Sequence, residues 1–67
     1  MISDRDIYAS ANLMIKRFGE DAPMQAAQRA EGFMAEGNME GHAAWMRIMK
    51  AAEELLRQRP GPGETIQ

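Results

Sequence analysis

The sequence contains no cysteine, one histidine, one tryptophan, one tyrosine and two phenylalanines. Without cysteine, neither a disulfide framework nor a thiolate metal site is available. A chain of 67 residues must then draw its stability from good helices or from association with another chain. The lack of cysteine suits a reducing compartment, and a cytoplasmic location is the expectation. Also missing is any run near the ~20 apolar residues that cross a bilayer. Residues 1–6 already carry Asp4, Arg5 and Asp6 with no apolar run behind them, so neither a signal peptide nor membrane association is expected. Eight Lys and Arg stand against ten Asp and Glu, for a net charge of −2. That balance lacks the basic surplus of a dedicated nucleic-acid binder, and it is too even for an acidic disordered tail.

What is present is helical punctuation. Ser3 is a good N-cap, and Asp6 stands three residues on, as in a short-chain capping box. Ile2 and Ile7 have the spacing of a hydrophobic staple across that cap. From there Ile7, Tyr8, Ala11, Met14, Ile15 and Phe18 recur on one helical face, Lys16 and Arg17 suit the negative end of the macrodipole, and Gly19 is a natural stop. Glu20, Asp21 and Pro23 open a second helix, because proline belongs in a first turn whose N–H groups have no partner. Its inward stripe reads Pro23, Ala26, Ala27, Ala30, Phe33 and Met34. Alanine dominates it, so a neighbouring helix can approach closely and lay a large side chain over the gap.

Gly37 ends that helix and Asn38 caps the next. So short a link makes the two helices antiparallel neighbours. The third helix carries Gly41, Trp45, Ile48, Ala52 and Leu55 at alternating spacings of four and three, and Glu53 precedes Arg57 in the order that favours an ion pair. The expected fold is all-α: three short helices over about 3–18, 22–36 and 39–58 in a single domain of residues 1–58, with helices 2 and 3 forming an antiparallel hairpin around Ile48 and Trp45. Residues 59–67, rich in proline and glycine, read as a flexible tail that cannot bury enough apolar area to offset its ordering entropy.

At about 100° per residue, Met39 and Met46 fall nearly opposite Ile48, with His42 and Met49 on the flank. Leu13 points away from the stripe centred on Ala11. Isolated exposed apolar residues are ordinary, and methionine is an adequate helix former. The sharper reading makes Leu13, Met39, His42, Met46 and Met49 a second, adaptable contact surface for a homodimer or a partner helix.

Chemistry finds little footing. His42 has no acidic residue at positions 38, 39, 45 or 46 to orient it, Ser3 is used as a cap, and no phosphate-cradling glycine loop is present. Met46 and Met49 have an i, i+3 spacing that a soft cation such as Cu(I) could use, with His42 on the same side. Copper-handling sequences carry denser Met and His clusters, so no catalytic residue, metal or cofactor is expected. Glu53–Glu54 and Glu20–Asp21 are adjacent pairs that diverge on a helix or belong to its cap. Three short helices also allow a helix-turn-helix, but the first turns of helix 3 offer Met39, Glu40, His42 and Ala43 where a recognition helix presents basic and amide groups.

The segment from Ala35-Glu36-Gly37-Asn38-Met39-Glu40-Gly41 through Trp45-Met46-Arg47-Ile48, with Ala11-Asn12-Leu13 before it and Ala51-Ala52-Glu53-Glu54-Leu55 after it, resembles a family of short helical proteins frequent in alphaproteobacteria. The resemblance spans all but the tail and rests on turn glycines and a tryptophan. It implies a helical fold and no particular activity or site residue. The expectation is therefore a non-enzymatic module acting through a protein partner or self-association. A small regulator associated with DNA or RNA, and a minor metal-binding or enzymatic role around His42, stand as the alternatives.

Overall fold

The computed structural model describes residues 3–58; the Ile2 half of the expected staple and the expected tail at 59–67 lie outside them. All regular structure among the described residues is helical: α1 spans Asp4–Phe18, a 3-10 turn spans Gly19–Asp21, α2 spans Ala22–Ala35 and α3 spans Met39–Gln58. One expectation needs correcting. No coil residue separates α1, the 3-10 turn and α2, so the protein has two uninterrupted helical stretches, 4–35 and 39–58, and not three separate helices. Gly19 does turn the chain, at φ 61°, while its N–H still donates to the Ile15 carbonyl. Helical hydrogen bonding resumes at once, because Ala22 donates back to the Gly19 carbonyl and Pro23 stands in the first turn of α2.

The caps explain the remaining boundaries. The Ser3 hydroxyl accepts from the Asp6 N–H at 3.3 Å, with Asp4 and Asp6 in the first turn of α1 and Lys16 and Arg17 in its last. At the end of α2, the Gly37 N–H donates to Met34 O at 2.9 Å and the Asn38 N–H to Phe33 O at 2.8 Å. With Gly37 at φ 80°, this is a complete Schellman closure, which satisfies carbonyls the helix leaves open. Asn38 then starts α3, its Oδ1 accepting from the Gly41 N–H at 2.9 Å. One residue therefore closes one helix and caps the next.

The core is small-sided. Ile7, Ala11 and Met14 of α1, Ala22 and Ala26 of α2, and Ile48, Ala51 and Ala52 of α3 form the buried cluster, with Ile15, Phe18, Trp45, Met49 and Leu55 packed partly against it. The alanines of α2 admit α3 closely, and those two helices share the largest interface. Ile48 belongs to the buried cluster, whereas Trp45 is only half-buried and lies at its edge. The Arg29 guanidinium stacks over the indole, 5.3 Å from the ring centroid. Two residues of the sequence stripes are exposed instead of inward: Met34 and Tyr8.

Helix directions follow from the contacts. Asp4 pairs with Arg47, and Tyr8 bonds Glu54, so α1 and α3 run the same way. Between α2 and α3, Phe33 meets Gly41, the Ala30 carbonyl meets His42, and Arg29 meets Trp45. These pairs follow the reversed order a hairpin requires beside its turn.

Candidate interaction surface

The five residues singled out by helical position do not form one surface. Leu13 and Met39 are exposed, at 57% and 58%. Asn12 and Ile15, the neighbours of Leu13 in α1, line a shallow hollow with Lys16 and Leu55. Met39, sixteen residues before Leu55, is displaced from that level by roughly 24 Å at ~1.5 Å per residue. Leu13 and Met39 therefore lie toward opposite ends of α3.

The other three are half-buried. Met49 packs partly against the core cluster. His42 turns toward α2, where its Nδ1–H donates to the Ala30 carbonyl at 3.0 Å. That bond selects the Nδ1–H tautomer when the ring is neutral. A ring tied to backbone is a structural side chain, and among the described residues no group of three or more His, Cys, Asp or Glu is placed to hold a metal ion. No helix among them is long and apolar enough to cross a membrane.

What the helical wheel missed is the end of the molecule at the α2–α3 turn. Every residue of the core cluster lies within Ile7–Met14, Ala22–Ala26 or Ile48–Ala52, and from 27–47 only Ala30 is fully buried, outside that cluster. The first residue of α1, Asp4, stands beside Arg47. Residues 28–46 of α2 and α3 thus extend past the start of α1. Met34, 46% exposed, and Met39 flank the turn there, and Phe33 is half-buried between α2 and α3. Phe33 packs where Gly41 has no side chain: a Cβ on Gly41 would fall 2.6 Å from its Cδ1. Residues 30–46 also contain Glu31, Glu36 and Glu40 and no Lys or Arg. The sequence signal for this end was that charge run, which a search by helical period passes over.

Between α1 and α3 runs a second hollow, where Ile7 and Ala51 are bordered by Asp4, Tyr8, Arg47, Lys50 and Glu54. Tyr8 Oη donates to Glu54 Oε1 at 3.1 Å. That bond and the Glu54 charge, with slight desolvation and the charge of Asp4, hold the phenol above its ordinary pKa of 10.0. Arg47 pairs with Asp4 across the helices, and the hollow is open. No family model, curated protein or solved structure matches the chain, so no family is assigned and the resemblance rests on its turn glycines and tryptophan.

Proposed function

We propose that this chain is a non-enzymatic helical module that works by docking against protein, with α2 and α3 as an antiparallel hairpin whose turn end makes the contact. One observation carries the reading: the hairpin runs on past the start of α1 and presents exposed Met34 and Met39 with no core cluster beneath them. A fully buried methionine gains ~1.5–3 kcal/mol. Both side chains are already about half-covered, so a partner would add roughly 1 kcal/mol from each, plus the contacts of Phe33. Methionine adapts its shape to what it meets, which suits such an end. His42 supports the turn from inside in this reading, and Leu13, at the far end of the bundle, is left out of the surface.

The test compares the native chain with Met34→Lys/Met39→Lys. Light scattering after size exclusion reads self-association, and affinity capture from the source cells reads other partners. The double substitution should abolish whichever association the native chain shows. If oligomeric state and captured proteins are both unchanged, docking through this end is wrong.

A further inference from the structure

Resting on that docking reading, we infer that the turn end receives a cationic amphipathic segment of another protein rather than a second copy of this chain. Between Ala30 and Met46 the chain carries Glu31, Glu36 and Glu40, all exposed, and no Lys or Arg; its one histidine, His42, is half-buried and turned onto the Ala30 carbonyl. The cations that bracket the stretch are engaged: Arg47 pairs with Asp4, and Arg29 lies over the Trp45 ring. The apolar contacts Met34 and Met39 therefore sit inside a rim of one sign. An isologous pair of turn ends would bring six carboxylates together around two methionine pairs, which like-charge repulsion opposes. A helix or extended segment with apolar side chains on the methionines and Lys or Arg beside them meets both features at once, the mode in which an amphipathic segment lays its apolar face on a complementary surface.

The probe is a synthetic Leu/Lys amphipathic helix, with a Leu/Glu version of the same pattern as control. Both are titrated into uniformly labelled full-length protein at low salt, followed by amide chemical shifts. Shifts confined to residues 30–46 with the cationic peptide, absent with the anionic one, support the inference. Glu31→Lys/Glu36→Lys replaces two exposed carboxylates without touching the core, and it should weaken the cationic peptide by roughly tenfold or more. Shifts centred on Glu53 and Glu54, equal binding of both peptides, or an unchanged affinity in the double variant would overturn it. If neither peptide binds while Met34→Lys/Met39→Lys still dissolves a native association, docking stands and the cationic partner is wrong.

Discussion

Tyr8 ties α1 to α3 through a hydrogen bond to a carboxylate, and that bond has a pH signature. Glu54 raises the phenol's pKa, so the folded state favours the neutral ring. The stabilisation is fully present below the ordinary value and is lost as pH rises through the folded one. Tyr8 is the single tyrosine, so absorbance of the tyrosinate band reads it alone. The midpoint in the native chain should lie above 10.0, and Glu54→Gln should bring it back toward that value. An unmoved midpoint would mean that the Tyr8–Glu54 contact does not persist in solution. Two glycines give a second residue-level comparison. Gly32 is helical, and a Cβ there meets nothing within 4 Å, so Gly32→Ala should raise stability by up to ~1 kcal/mol through helix propensity. At Gly41 the same gain is opposed by the Phe33 ring, 2.6 Å from the added carbon, and Gly41→Ala should lower stability by ~1 kcal/mol or more. Thermal melts followed by circular dichroism order the three proteins.

At the level of elements, the boundaries with chemical punctuation were legible and those set by packing were not. Ser3, Gly37 and Asn38 announce their roles because a cap needs a particular donor, acceptor or backbone angle, and few residues supply it. Gly19 does cap α1 at Phe18, but it does not separate α1 from α2. A glycine at positive φ permits a helix to stop, but the Glu20–Asp21–Ala22–Pro23 segment that follows is itself a good helix start, so the chain passed through a 3-10 turn instead of a loop. Met34 and Tyr8 were misplaced because a wheel gives direction along one helix and says nothing of where its neighbour ends. The α2–α3 turn offers the sharpest element-level test. Gly37→Ala forces an L-residue to φ 80°, a strain of roughly 1–2 kcal/mol, and Asn38→Ala removes the acceptor of the Gly41 N–H, about 1 kcal/mol. Both groups serve one turn, so the double variant should depart from the sum of the singles in denaturant unfolding. Strict additivity would mean that closure of α2 and capping of α3 are independent.

For the whole molecule, the core that carries the fold is small, and its largest members are modest. Usual per-residue stability gives a chain of this length roughly 3–10 kcal/mol. Ile48 is buried as its helical position implies, whereas Trp45, the largest side chain and so the natural core candidate when exposure is unknown, is only partly buried. In the structure α1 covers Ile48 but leaves the tryptophan at the edge, its ring shared between the core and Arg29. This placement predicts an inverted order of costs. Ile48→Ala deletes a nearly fully buried side chain from the cluster shared by α1, α2 and α3 and should cost about 2–4 kcal/mol. Trp45→Ala removes a far larger group, yet the indole is only partly buried at the edge of the cluster and the gap opens outward, so its cost should stay at about 2 kcal/mol and below that of Ile48→Ala. Urea unfolding followed by circular dichroism measures both on one scale without relying on the indole. A Trp45→Ala variant less stable than Ile48→Ala would put the tryptophan back at the centre of the core, and would require α1 to reach further toward the turn than its contact between Asp4 and Arg47 allows.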